Sequence, residues 1–216
     1  MAISDRTFKN IRIPISTLIV ALCLSMNTGL SHGTENNTVA QNLHCERFIN
    51  HSESLLLSET NVGPWYSIND NVMGGKSKGF FTHKDDHLHF HGTINTNGGG
   101  FASIRKNIAD GQLISADRIR LAIQSDGRAY NIQLQDNSNS QQSISHRAPL
   151  AKVRSDKFEI VEILFENLVP TFRGRRIQSA SFNPLTAKTI GVILSDSLDG
   201  PFSLKLKWIE ACGIKQ

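Results

Sequence analysis

The run Arg118-Ile119-Arg120-Leu121-Ala122-Ile123-Gln124-Ser125-Asp126-Gly127-Arg128-Ala129-Tyr130-Asn131-Ile132-Gln133-Leu134-Gln135 reads as two strands around a turn. Ile119, Leu121 and Ile123 alternate with Arg118, Arg120, Ala122 and Gln124, and Tyr130, Ile132 and Leu134 alternate with Asn131, Gln133 and Gln135. A period of two sends successive side chains to opposite faces, so each run has one apolar and one polar face. Between them, Asp126-Gly127 is a tight-turn dipeptide, because glycine takes positive φ without a Cβ penalty. The pair predicts a β-hairpin.

Working outward, Phe158 to Ile163 reads as a strand apolar on both faces, and Thr189 to Leu194 as another short strand. Pro201 to Glu210 places Phe202, Leu204, Leu206 and Trp208 on one face and Ser203, Lys205 and Lys207 on the other. Helical periodicity is weak and confined to Cys45 to Leu57, and Gln135 to Ser145 reads as a polar loop. Short strands separated by polar turns predict an all-β fold, an antiparallel β-sandwich or jelly roll.

Two glycine loops interrupt these strands. One is Asn69-Asp70-Asn71-Val72-Met73-Gly74-Gly75-Lys76-Ser77, and the other is Asn97-Gly98-Gly99-Gly100, which runs into Phe101-Ala102-Ser103-Ile104-Arg105. Glycine lets a backbone or ligand approach closely, so these loops mark positions of special geometry. Gly75-Lys76-Ser77 ends like a phosphate-binding loop. However, Asp70 stands where that motif needs glycine, and no helix pattern follows. No nucleotide is expected.

Residues 1–33 have the form of a secretory signal: Arg6, Lys9 and Arg12, then an apolar stretch from Ile13 to Leu24, then small and polar residues. Residues 34–44 read as a polar linker and 45–214 as the sandwich domain. The expectation is an exported protein, periplasmic or secreted. Loss of the leader takes the formal charge of +4 to about +2, which argues against a nucleic-acid partner. Cys45 and Cys212 then remain, one near each end of the domain, and an oxidising compartment permits a bridge between them.

His87, His89 and His91 alternate with Leu88 and Phe90 and would share one strand face, with His83 nearby across a turn. They are weak metal candidates, and a solvent-facing polar strand is the alternative. Asp70 with its asparagine neighbours offers calcium ligands or, alternatively, hydrogen bonds to its own loop. The sequence carries no nucleophile elbow, zinc helix, paired-cysteine motif or dinucleotide fingerprint. A catalytic residue and a cofactor are therefore not expected.

Trp65, the Asn69–Ser77 loop, Phe90-His91-Gly92, the Asn97–Arg105 segment, Asp126–Tyr130, Phe172-Arg173-Gly174-Arg175 and Gly200-Pro201-Phe202 occur in an order that resembles the complex I intermediate-associated protein family of about thirty kilodaltons. The resemblance spans roughly residues 60–210. It implies a galactose-binding-like β-sandwich and, from the mitochondrial members, a non-catalytic assembly chaperone. Combined with export, this predicts an assembly factor for an envelope or membrane complex, with a protein client as partner. A carbohydrate-binding module with a glycan ligand is the alternative, and an enzyme a more remote one. The expected binding residues are Asn69, Asp70, Gly74, Gly75, Gly99, Phe101, Arg105, Arg128 and Arg173. In that reading the glycines shape the loops, Phe101 anchors its loop, and Asp70 and the arginines form a polar surface.

Overall fold

The computed structural model describes residues 43–51, 63–84, 86–137, 144–151, 154–178 and 180–214. In chain order the strands are β1 (Leu43–Asn50), β2 (Tyr66–Asn69), β3 (Lys78–Lys84), β4 (His87–Ile94), β5 (Ala102–Asn107), β6 (Arg118–Ser125), β7 (Tyr130–Asp136), β8 (Ser145–Pro149), β9 (Glu159–Leu164), β10 (Val169–Phe172), β11 (Arg175–Arg176), β12 (Ala187–Leu194) and β13 (Gly200–Ile214). The described helical elements are single 3-10 turns at Asp70–Met73, Phe165–Asn167 and Pro184–Thr186. The strands form two antiparallel sheets, as the alternation predicts. One runs β3-β4-β13-β6-β9, with β1 also paired to β13, and the other runs β11-β10-β8-β7-β12-β5-β2.

The core lies between the sheets. Leu88, Phe90, Ile119, Leu121, Ile123, Leu204 and Leu206 of the first meet Ile104, Tyr130, Ile132, Leu134, Ile190 and Val192 of the second. Phe90, Phe202 and Tyr130 form an aromatic cluster, with the Phe90 and Phe202 ring centres 4.8 Å apart. Burial of this apolar area, at about 25 cal/mol per Å², is the main force holding the layers together.

Four details depart from the sequence expectation. The Asp126-Gly127 turn is not a hairpin: Gly127 has φ +86, but β6 and β7 lie in different sheets, so the turn carries the chain across the core. Alternation gives each strand an apolar face, and that face is equally satisfied beside its neighbour or opposite it. The weakly helical stretch from Cys45 is strand β1 as far as Asn50, while residues 52–60 lie outside those described. In β9 only Ile163 is fully buried, whereas Ile160 is 56% exposed, because β9 is an edge strand covered on one face. In β13 a bulge between Leu206 and Trp208 shifts the register, so Ile209 enters the core in place of Trp208. Trp208 instead lies half-buried beneath the Arg47 guanidinium, 4.5 Å from its ring centre.

Residues 1–42, which hold the leader and nearly all of the linker, lie outside the described residues, as do 138–143 of the polar loop. The domain's first and last strands are joined covalently. Cys45 of β1 and Cys212 of β13 stand opposite each other in register and form a disulfide with Cα atoms 4.1 Å apart.

Candidate functional site

The two glycine loops close on one carboxylate. Asp70 opens a 3-10 turn at the end of β2 and has 0% exposure. Its Oδ1 accepts the Ser77 N–H at 2.9 Å, and its Oδ2 accepts the Ser77 hydroxyl at 2.6 Å and the Gly100 and Phe101 N–H groups at 2.6 and 3.3 Å. Burial alone would raise this carboxyl's pKa, but the bonds from Ser77, Gly100 and Phe101 outweigh it and hold the group below the ordinary range. A Cβ at Gly75 or Gly99 would overlap the Asp70 carboxylate. Both loops therefore need glycine so that their backbones can close around the acid. Asp70 is the buried fastener of the loops and does not belong to a polar surface, because its acceptor sites already face four internal donors.

Arg128 is likewise internal. It pairs with Asp196 through Nε and Nη2 at 2.9 and 2.6 Å, and it also donates to the carbonyls of Gly200 and Pro201 at 3.0 Å and of Leu198. Its donors are spent on clamping the turn at the end of the sandwich, which removes it from any ligand surface. Asn69 donates to the Gly79 carbonyl at 3.1 Å, and Gly74, at φ +87, ends the 3-10 turn.

The remaining expected residues converge. Gly99, Phe101, Arg105 and Arg173 line a cleft of about 680 Å³ on the outer face of the seven-stranded sheet, with Asp70 at its edge. Register explains the cleft floor. Arg105 on β5 pairs with Gly191 on β12, Gly191 with Gln133 on β7, and Gln133 with Arg147 on β8, giving one row across four strands. Gly191 leaves that row open, and Arg105 leans across it, with Cγ 3.0 Å from where a Gly191 Cβ would stand. Arg105 Nη1 then donates to Gln135 Oε1 at 3.1 Å, and Gln135 Nε2 donates to Ser145 Oγ at 3.2 Å. Met73, Phe172 and Ile193 supply apolar walls. Arg173, at φ +49, stands at the rim with its guanidinium 5.3 Å from the Phe172 ring centre.

The electrostatics of this floor are unbalanced. Among the described residues no carboxylate oxygen lies within 4.0 Å of either Arg105 or Arg147. The Nε atoms of both arginines and both amide atoms of Gln133, which is 1% exposed, are buried without a hydrogen-bond partner. Burial pulls both guanidinium pKa values down, and in Arg147 the Arg105 charge adds to the effect. Arg147 was not among the expected residues. Its signal is the alternation of Ser145, Arg147 and Pro149 with His146, Ala148 and Leu150, which begins where the polar Gln135–Ser145 stretch ends.

His87, His89 and His91 do share one face of β4, with ring centres 6.4 and 4.5 Å apart along the row, but His83 pairs with Leu88 and lies on the opposite face. His89 bonds Ser203 Oγ at 2.9 Å, and His87 lies 2.8 Å from Asp86. Among the described residues the compact trio of metal-type ligands is Cys45, Glu210 and Cys212, whose sulfurs are already bonded to each other.

Residues 55–206 match the family model described as Complex I intermediate-associated protein 30 (CIA30). No curated protein matches the sequence. Among solved structures, the chain is similar to the family 11 carbohydrate-binding module of a cellulosomal cellulase of Clostridium thermocellum, with TM-score 0.57 and 13% identity over 79% of this chain and 97% of that one. It is also similar to a Clostridium thermocellum family 11 module in complex with a β-1,3-1,4-mixed-linked tetrasaccharide, with TM-score 0.55 and 16% identity over 78% and 96% of the two chains. These likenesses establish a galactose-binding-like β-sandwich fold.

Proposed function

This chain belongs to the complex I intermediate-associated protein 30 family, and we propose that it is an exported, non-catalytic binding domain that acts as an assembly factor for a membrane or envelope protein complex. The observation that carries the reading is the cleft on the seven-stranded sheet, lined by Arg105 and Arg147, which have no carboxylate partner among the described residues and whose Nε atoms are buried without a hydrogen bond. Unpaired buried polar groups cost free energy, and a binding partner is what would offset that cost. The lip supports a protein client, since Val72 and Met73 are 69% and 66% exposed at the tip of the first glycine loop. Export is supported by the basic and apolar leader and by the Cys45–Cys212 disulfide, which persists in oxidising compartments.

A glycan is the second reading, favoured by the amide and hydroxyl groups of Gln135 and Ser145, which suit sugar hydroxyls. Among the described residues the aromatic lining consists of Phe101 and Phe172, which offers little surface for sugar stacking.

Charge reversal at the rim tests the proposal without disturbing the core. Arg173→Glu is expected to reduce co-purification of the client from the native envelope by about ten-fold, while Lys157→Glu, exposed beside the other sheet, leaves it unchanged. Equal recovery with both variants would remove the cleft from the function.

A further inference from the structure

We propose that the floor of the cleft is a carboxylate seat, and that its occupant is an acidic peptide segment of the client, with a glutamate or aspartate side chain held between Arg105 and Arg147. The inference rests on the cleft being the binding face and adds the chemistry of what enters it.

The two arginines stand three strand spacings apart, roughly 14 Å between Cα atoms, and Arg105 bridges much of that gap by lying over Gly191 toward β7. Each guanidinium presents a planar fork of donors that matches a carboxylate, and each keeps a buried Nε–H without an acceptor. Gln133 lies between them in register, and its buried amide is also without a hydrogen-bond partner. Like charges gathered in a desolvated site without a counter-ion oppose folding. A carboxylate would neutralise the pair and satisfy the orphaned donors.

A phosphate fits less well. Phosphate sites are built largely from free backbone N–H groups, and those of Gly100 and Phe101 are already donated to Asp70. The molecule's own carboxylate fills that nest. The apolar walls formed by Met73, Phe101, Phe172 and Ile193 favour an acidic residue with apolar neighbours over a polyhydroxylated acid.

The test uses the full chain and a fluorescein-labelled heptapeptide alternating glutamate with leucine. Its glutamine counterpart, digalacturonate and inorganic phosphate serve as comparison ligands. The glutamate peptide is expected to bind at least about ten-fold tighter than the glutamine one, and to weaken by a similar factor in Arg105→Gln and in Arg147→Met. Arg147→Met is also expected to raise the melting temperature of the unliganded protein, because it removes a buried unpaired charge; a purely structural arginine would lower it. Equal binding of both peptides, unchanged affinity in Arg147→Met, or binding of digalacturonate or phosphate in preference to the glutamate peptide would overturn the inference. If the client is still captured through the cleft but the glutamate peptide does not compete with it, the ligand class fails while the binding face stands. If Arg173→Glu leaves capture intact, the binding face itself fails.

Discussion

Replacing Asp70 with asparagine is expected to lower the stability of the domain by about 4 kcal/mol and its melting temperature by roughly 8–16 °C. The carboxylate receives four hydrogen bonds from two loops, and three of the donors are backbone or hydroxyl groups within 2.9 Å. Charge-assisted bonds of this kind are worth about 1.5–3 kcal/mol each before losses elsewhere. An amide turns one acceptor oxygen into a donor, which then faces N–H groups that also donate. The pH dependence has a definite sign. The folded carboxyl titrates below its unfolded value, so its stabilising contribution is present above about pH 4 and is lost as pH falls through the folded pKa. The gap between wild type and Asp70→Asn should therefore be full at pH 7 and shrink below about pH 4. Thermal melts of both proteins at a series of pH values check this, and equal melting temperatures at pH 7 would refute the fastener role.

The double replacement of Cys45 and Cys212 by serine is expected to cost a similar amount, about 4 kcal/mol. The bridge closes a loop with a sequence separation of 167 residues, and long loops gain most on the chain-entropy account. It also ties β1 to the C-terminal half of β13, which among the described residues is the one strand β1 pairs with. Cys212 is fully buried, so the bond is expected to resist reductant in the native state and to open only when denaturant exposes it. Thiol titration before and after unfolding, alongside melts of the double variant, measures both effects. Two free thiols in the oxidised native protein would contradict the bridge.

Sequence patterning was sufficient for the two-layer all-β architecture, because alternation at Ile119–Ile123, Tyr130–Leu134 and Phe202–Leu206 specifies a buried face for each strand. It could not say which strands share a sheet. The Asp126-Gly127 turn satisfies the same positive φ whether the chain returns in its own sheet or crosses to the other, so the hairpin expectation failed there. The ordered motifs marked the glycine loops, but they did not separate residues that build the site from residues that face a ligand. Asp70 and Arg128 are polar and sit in loops, as a binding surface would require, yet their partners lie 7 to 73 residues away along the chain and became visible only in three dimensions. Arg147 is the converse case. Its role depends on lying in register with Gln133, Gly191 and Arg105, and no local pattern encodes that row.

Site-specific photocrosslinking in the native envelope tests the central claim most directly. A photoreactive residue at Phe172, on the cleft wall, is compared with one at Ile160, exposed on the edge strand of the opposite sheet. The expected result is one recurring protein adduct from position 172, identified by mass spectrometry as a subunit of a membrane or envelope complex, with none from position 160. The same subunit captured from position 160 and not from 172 would contradict the account.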